Sequence, residues 1–475
     1  MRRIYLDWGV VSNLKKEEYA DLYRFFLAHK DRFFFVYSPA HFDDLLRSEG
    51  DLYIKEDLKT LSSLVDDHFL SYEKNMMGGY SLSPFDYYEK RRRESPVKLA
   101  EFGEVLSSLD SIVPGGENVG RKLKEALQSM PFPIPEEILS ASQFACLMPG
   151  LPSNPSVLDV IQSAGLFVDK MQDEPKYYKT YRSDVQKSGL KLGRNSGNWS
   201  EDEAIPNVSA LLKSVGVNMD FKDFVLSPYG NKTDVLEPVV FTSAYIILDV
   251  LGYQSDKLRK PGNTVDSIIT DSKHAYYASF CDCLVTADRR LEKKAKALYH
   301  EYGIDTLVLN PSNAILALEE DTISYDLDYF FPFLNRVVEQ GDIVESHRGE
   351  ADGDISYDQY QFQQRLLGIF SRGTFIHRSE NENQQVIVLE IGPERSRSFL
   401  FFDEVGMIVD TVSNYLSAEP IPDYEEIKQR FVHGGNISIV WNIVGGTIRL
   451  KTAPRSKKPV LIVILDRAAT NKEEA

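Results

Sequence analysis

The sequence is poor in cysteine and has no long apolar run. Its 475 residues include three cysteines, Cys146, Cys281 and Cys283, without a second pair or a histidine cluster to complete a zinc site. We therefore expect buried, reduced thiols. No apolar run approaches the roughly 18 residues that span a bilayer, and the N-terminal apolar segment is too short for a signal peptide. These features predict a cytoplasmic protein that does not associate with membranes.

The sequence also lacks an excess of positive charge and a glycine-rich phosphate loop. Its 54 Lys and Arg residues are outnumbered by 71 Asp and Glu residues, which gives a formal net charge of −17. Proteins that coat nucleic acid by bulk attraction need many cations to contact phosphates, so any such contact must be local here. With 43% hydrophobic residues, the composition is that of a globular protein, and the length predicts two or three domains.

The chain opens with alternating strand and helix patterns. Residues 4–7, "IYLD", are typical of a buried strand, and "KEEYADLYRFFLAHK" follows with the apolar spacing of a helix. A second apolar strand, "RFFFVYSP", ends at Ser38 and Pro39, which are favourable first residues for the helix "AHFDDLLRS". This order predicts parallel β-α-β units, and in such sheets chemistry gathers at the carboxyl ends of the strands.

A long interruption separates this opening from a second α/β stretch. Residues 76–231 carry many Gly- and Pro-containing turns between moderately helical pieces, which predicts a mostly helical insertion. Two helical segments then precede the strand "DCLVTAD", the helix "RRLEKKAKALYHEYG" and the strand "DTLVLNP". The sequence therefore predicts one α/β domain, split between residues 1–75 and 232–320.

The last part of the chain, residues 325–475, has a different character. "QYQFQQRLLGIF" is interpreted as a helix, and the predicted strands are "TFIHRS", "QQVIVLEIG", "SIVWNIV", "TIRLKT" and "PVLIVILD". This order predicts a separate α+β domain. Its role is open, and recruitment of a protein partner or homo-oligomerisation through this domain is one interpretation.

Four acidic residues stand where predicted strands end or helices begin: Asp7, Asp44, Asp271 and Asp288. Each one alone is most simply a helix cap or a partner of the helix dipole. If the strands are parallel neighbours, however, the four would converge on one edge of the sheet and raise one another's pKa unless a cation neutralises them. Mg²⁺ and Mn²⁺ prefer such oxygen ligands, and a pair of these ions suits phosphodiester hydrolysis.

These pieces resemble the PIN-like nucleases, metal-dependent nucleases on a small α/β sheet. The similarity lies in "IYLDWGVVSNL", in "YSPAHFDDLLRS" and, most strongly, in "DSKHAYYASFCDCLVTADRRL". It covers roughly residues 1–75 and 232–312. The family's second acid is more often Glu, and the insertion is unusual for its compact members.

The resemblance implies roles for five residues. Asp7, Asp44, Asp271 and Asp288 would bind Mg²⁺ or Mn²⁺ or position the attacking water, and Thr286 would support the site by hydrogen bonding. Asp43 competes with Asp44 for the second position, and Asp44 is preferred because it follows Ser38 by six positions.

Cations and a histidine beside the acids are candidates for nucleic-acid binding. His274 lies one turn after Asp271 on the same helix face. The helix that follows Asp288 carries Arg289, Arg290, Lys293, Lys294 and Lys296, which would either bind phosphates or form a solvated helix surface. A second basic cluster, Arg91 to Arg93, follows Tyr87 and Tyr88, which could stack on bases.

The sequence thus predicts a metal-dependent PIN-like endonuclease, with RNA favoured as the substrate. The alternatives are a DNA or flap-type nuclease, because the same chemistry serves both sugars, and a non-catalytic PIN-like scaffold that assembles with a partner. By analogy, a nuclease with a large additional domain suggests a regulated toxin or an antiviral-defence effector.

Overall fold

The structure is a computed structural model. It describes the following residues: 2–47, 50–93, 119–135, 147–187, 189–230, 237–256, 265–319, 327–348, 355–378, 384–392, 394–416, 426–427, 429–430 and 436–466. Within these ranges, no helix has both the length and the apolar character needed to cross a membrane.

Strands and helices alternate in the first third of the chain, and strands dominate the last. The strands are β1 (Arg2–Leu6), β2 (Phe33–Val36), β3 (His68–Glu73), β4 (Met76–Ser81), β5 (Cys283–Val285), β6 (Leu307–Leu309), β7 (Asp342–His347), β8 (Ile355–Leu366), β9 (Phe370–Arg378), β10 (Gln384–Glu390), β11 (Ser438–Ile443), β12 (Gly446–Thr452) and β13 (Pro459–Asp466). The α-helices are α1 (Trp8–Asn13), α2 (Ala20–Ala28), α3 (Pro39–Leu45), α4 (Asp51–Val65), α5 (Pro84–Arg93), α6 (Val119–Ser129), α7 (Val157–Asp173), α8 (Pro175–Lys187), α9 (Glu201–Ser214), α10 (Phe221–Leu226), α11 (Glu237–Leu251), α12 (Val265–Ala278), α13 (Arg289–Tyr302), α14 (Pro311–Leu318), α15 (Leu327–Glu339) and α16 (Phe402–Tyr415).

A four-stranded parallel sheet flanked by helices confirms the predicted α/β arrangement. Its strand order is β2-β1-β5-β6, so β1 and β5, distant in sequence, are central neighbours. β1, β2 and β5 are buried on both faces, as their continuous apolar runs require, whereas the edge strand β6 is partly exposed. Leu6 pairs with Val285, so the residues that follow these two strands emerge side by side.

The region interpreted as an insertion begins inside a β-hairpin. β3 and β4 pair antiparallel, and the predicted boundary at residues 75–76 lies at their turn, where Lys74 and Asn75 adopt positive φ. Further along, α9 packs on α13, and Ala204 and Val208 share a core cluster with Leu298. The inserted helices therefore help to bury the helix that follows β5.

The C-terminal part is built on a seven-stranded antiparallel sheet with the order β11-β12-β13-β10-β9-β8-β7. The helix predicted at residues 359–370 is wrong, because these residues form the second half of β8, a turn at residues 367–369 and the first residue of β9. Here Tyr360 and Phe362 alternate with glutamines, and this period of two outweighs the helical propensity of Gln, Leu and Arg. A Cβ on Gly373, opposite in β9, would lie 2.5 Å from the Phe362 ring, so a side chain there would displace the ring.

Buried charges join the C-terminal part to the parallel sheet. Arg3 Nη2 lies 2.5 Å from Glu404 Oε2, and Arg397 Nη2 lies 2.6 Å from Asp282 Oδ2. All four residues are buried. Because Arg3 and Asp282 flank the amino ends of β1 and β5, this contact lies at the edge opposite the carboxyl ends of the strands.

Candidate active site

Asp7 lies directly after β1 and is held by three hydrogen bonds. Its Oδ1 accepts from Val10 N at 2.7 Å and caps α1, while its Oδ2 accepts from the Thr286 hydroxyl. Its backbone N donates to Val285 O at 3.0 Å. The pairing of β1 with β5 therefore fixes this buried carboxylate next to the end of β5.

Asp288 lies three residues after β5 and caps α13. Its Oδ1 accepts from the backbone N of Arg290 at 2.6 Å and of Leu291 at 3.2 Å. Its own backbone N donates to Thr286 Oγ1 at 3.0 Å. Thr286 thus links Asp7 with the backbone of Asp288, which is the supporting contact that the sequence predicts.

The other two acids come from α3 and α12, which pack against each other. Asp44 Oδ2 lies 2.9 Å from His274 Nε2. Asp271 lies one turn before His274, and its carboxylate makes no hydrogen bond or ion pair with any residue that the structure describes. Asp43 instead pairs with Arg91 at 3.0 Å and with Lys273 at 2.7 Å.

All four predicted acids line one cavity of about 410 Å³ at the carboxyl edge of the parallel sheet. The lining also contains Trp8, Gly9, His274, Ala287 and Leu291. Asp44 contributes to this cavity, whereas Asp43 is absent from its lining.

Burial and mutual repulsion perturb two of the four carboxylates. Burial raises the pKa of Asp7 from 3.8 to about 6, against the lowering effects of the Thr286 hydrogen bond and of His274. Burial also raises the pKa of Asp271 well above its ordinary value, and repulsion by Asp256 and Asp288 adds to this rise. Such shifts are typical of sites whose carboxylates lack a compensating cation.

The four acids line the cavity, but no three of their ligand atoms come within 4.8 Å of one another. Within the described part of the chain, three possible metal-ligand atoms lie within 4.8 Å of one another in a single place, formed by Asp67, His68 and Asp403. The pocket carboxylates are more widely spaced. This spacing fits carboxylates that repel one another across a cavity large enough for hydrated cations.

His274 belongs to a buried hydrogen-bond chain. Its Nδ1 lies 2.8 Å from the Tyr5 hydroxyl, which in turn lies 2.6 Å from Ser38 Oγ. Since Nε2 faces the Asp44 carboxylate, which can only accept, Nε2 donates to Asp44 while Nδ1 stays hydrogen-bonded to the Tyr5 hydroxyl. These hydrogen bonds fix His274 inside the protein, where it serves as a positioning residue for Asp44.

The predicted cationic face is smaller than the sequence suggests. Lys294 does not belong to it, because its side chain is fully buried and lies 3.1 Å from Asp249 Oδ1 and 3.2 Å from Asp256 Oδ2. Arg290 is partly buried and pairs with Asp256 at 3.3 Å. Arg289 is exposed and Lys293 is partly exposed, so these two remain candidates for phosphate contacts.

The remaining predicted contacts lie elsewhere. Lys296 pairs with Glu292 at 2.8 Å along the same helix. Tyr87 and Tyr88 are about 9% and 8% exposed, so these rings pack in the core and do not offer faces for base stacking.

Sequence reasoning missed the buried acids Asp249 and Asp256. Asp249 lies in the last turn of α11 and also accepts from the Tyr178 hydroxyl at 2.7 Å, so it ties α8 to α11 and α13. The burial of Lys294 could have been found, because it lies three residues after Leu291 and four before Leu298, within the apolar stripe of α13.

The fold and the pocket define a mixed α/β protein with an acid-lined cavity at the carboxyl edge of a parallel sheet. Comparison with protein-family models, with curated proteins and with solved structures finds no match to this chain.

Proposed function

We propose that this protein is a PIN-like, Mg²⁺- or Mn²⁺-dependent endonuclease that hydrolyses RNA. The observation that supports the proposal is the meeting of Asp7, Asp44, Asp271 and Asp288, from four separate elements, around one cavity. A carboxylate without a partner is costly to bury. Asp271 is partly buried and has no hydrogen-bond or ion-pair partner among the described residues, and a cation in the cavity would relieve this cost.

The residues present fit a divalent metal centre. All four carboxylates are oxygen donors of the kind that Mg²⁺ and Mn²⁺ prefer, and no described Lys or Arg forms an ion pair with Asp7, Asp271 or Asp288. A bound pair of such ions would supply an activated water and stabilise the leaving oxygen of a phosphodiester.

The chain's own groups would orient this chemistry. The Thr286 hydroxyl fixes one oxygen of Asp7, and the cap of α13 fixes one oxygen of Asp288, so both carboxylates keep a defined direction. His274 does the same for Asp44. Each oriented carboxylate lowers the reorganisation that metal binding and catalysis require.

Substrate binding would be local. Arg289 and Lys293 extend from the helix that begins at Asp288 and offer contacts to phosphates beside the acids. With a net charge of −17, the remaining surface repels a polyanion. A single-stranded segment docked at the cavity suits this arrangement better than a duplex gripped along its length.

Cleavage assays on a matched pair of variants test the proposal. Asp44→Asn and Asp43→Asn change adjacent acids, of which Asp44 alone lines the cavity. With single-stranded RNA and Mg²⁺ or Mn²⁺, we expect Asp44→Asn to lose at least about 100-fold in kcat, as for a group acting on the transition state. Asp43→Asn should retain activity.

Parallel reactions define the substrate class. Single- and double-stranded DNA in the same assay distinguish the RNA enzyme from a DNA or flap-type nuclease. Cleavage that persists in Asp44→Asn and in Asp271→Asn would refute the assignment. Absence of divalent-ion binding by calorimetry, together with a stable higher-order assembly, would favour the scaffold alternative.

A further inference from the structure

A second group of possible metal ligands lies away from the cavity, where the parallel-sheet unit meets the C-terminal part. Asp67 and His68 stand at the start of β3, and Asp403 lies in the first turn of α16. One ligand atom from each residue lies within 4.8 Å of the others. We name this group the interface triad.

The two nitrogens of His68 both face acceptors. Nδ1 lies 3.0 Å from the backbone oxygen of Phe35, and Nε2 lies 3.3 Å from Asp403 Oδ2. A carbonyl oxygen can only accept, so Nδ1 donates to Phe35, and Nε2 is the ring atom that faces the carboxylate. A metal ion between Nε2 and Asp403 Oδ2 would bind both atoms, as would a proton on Nε2.

The neighbouring residues make the kind of contact with the triad that orients metal ligands in other proteins. A ligating histidine commonly donates its other N–H to a backbone carbonyl, as His68 does to Phe35. The Ser81 hydroxyl donates to Asp67 Oδ2 and fixes that carboxylate. The ring of Phe34 stacks on His68 with centroids 4.0 Å apart, which limits rotation of the imidazole.

The β3–β4 hairpin and the start of α16 pack tightly against each other beside the triad. A Cβ on Gly79 of β4 would lie 2.6 Å from the Phe401 ring, so the hairpin and the start of α16 meet with no room for a side chain. Asp403 is two residues beyond Phe401. The triad therefore stands at the rim of a tight contact between residues more than 300 positions apart.

We propose that the interface triad binds one divalent transition-metal ion, Zn²⁺ being the best fit, and that this ion clamps the C-terminal part onto the parallel-sheet unit. The mixed imidazole and carboxylate donors favour Zn²⁺ over Mg²⁺, whereas the all-carboxylate cavity has the opposite preference. Zinc bonds of about 2.0–2.2 Å draw ligand atoms closer than 4.8 Å, so binding tightens the contact.

Calorimetric titration of Zn²⁺ in excess Mg²⁺ tests the proposal. The full chain carries Asp271→Asn and Asp288→Asn, so that the cavity does not compete. We expect one Zn²⁺ per chain, with affinity lowered at least about 100-fold by Asp403→Asn and about 10- to 100-fold by Ser81→Ala, which removes an orienting contact. The matched control is Asp66→Asn, since Asp66 is exposed, pairs with Lys30 and has a positive φ that Asn tolerates.

The outcomes are distinct. Loss of the Zn²⁺ in Asp403→Asn and in Asp67→Asn, with retention in Asp66→Asn, supports the clamp. No Zn²⁺ binding, or binding that Asp403→Asn leaves unchanged, overturns it and assigns a proton to His68 Nε2. Nuclease activity is measured separately on the chain with an intact cavity, so failure of the nuclease assignment leaves this result unaffected.

Discussion

Replacing Asp7 with Asn should stabilise the metal-free protein while it removes a predicted metal ligand. Asp7 is buried, and loss of hydration destabilises its charged carboxylate and raises its pKa. Asn retains an oxygen to cap α1 at Val10 N, because Asn and Asp are equally good capping residues. The substitution therefore removes the charge and leaves the local backbone contact in place.

The magnitude follows from proton linkage. The pKa of Asp7 rises from 3.8 to about 6 on folding, and at about 1.4 kcal/mol per unit this amounts to roughly 3 kcal/mol. The folded state binds the proton more tightly, so this contribution is fully present below the unfolded pKa and is lost as the pH rises through about 6. Because pH 4 lies just above the unfolded pKa, a small part of this contribution is already lost there. The stability advantage of Asp7→Asn over the wild type should therefore be about 2.5 kcal/mol larger at pH 8 than at pH 4.

Urea unfolding in EDTA at pH 4 and at pH 8 measures this difference. Asp21→Asn is a suitable control, because Asp21 is 83% exposed and its loss removes a surface carboxylate. In excess Mg²⁺ at pH 8, the stability advantage of Asp7→Asn over the wild type should shrink or change sign, since a bound ion stabilises the wild type preferentially. A difference between Asp7→Asn and the wild type that is the same at both pH values would refute the reasoning.

Two further variants test the assignments on α13. Lys294→Met should destabilise the protein by about 3 kcal/mol, because it removes the buried cation shared by Asp249 and Asp256 and leaves Asp249 with Arg182 alone among the described cations. Lys296→Met on the exposed side should cost less than about 0.5 kcal/mol, and thermal unfolding separates the two. Replacing both Arg289 and Lys293 with Ala should weaken single-stranded RNA binding in EDTA. The slope of log affinity against log salt concentration should fall by roughly 0.7 per lost phosphate contact. An unchanged slope would mean that the RNA binds elsewhere on the protein.

The sheet that positions the cavity could be predicted because its signals are local. The strands at residues 4–7 and 282–288 are short apolar runs that end on acids, and parallel pairing brings such ends together wherever they lie in the chain. Asp44 could be distinguished from Asp43 by its spacing from the helix start. In the structure, Asp44 lines the cavity and Asp43 pairs with Arg91 and Lys273.

Other features could not be predicted because they depend on partners far away in sequence. Nothing near His68 indicates that Asp403 will face it, because the contact exists only once the C-terminal part has docked. The misassigned helix at residues 359–370 has residues of good helical propensity, and its strand conformation is decided by pairing with β9.

The contacts that dock the C-terminal part and the acids of the cavity lie at opposite ends of the same strands. The buried ion pairs of the C-terminal part lie at the amino ends of β1 and β5, through Arg3 and Asp282, whereas Asp7 and Asp288 lie beyond the carboxyl ends of the same strands. A repulsive cluster of carboxylates can persist only if the surrounding backbone is fixed by other contacts. β1 and β5 carry the docking ion pairs at one end and the cavity carboxylates at the other. Docking of the C-terminal part therefore stiffens the strands that hold these acids. Substitutions that loosen the docking, such as those of Glu404, should therefore lower metal affinity at the cavity without touching any group that lines it.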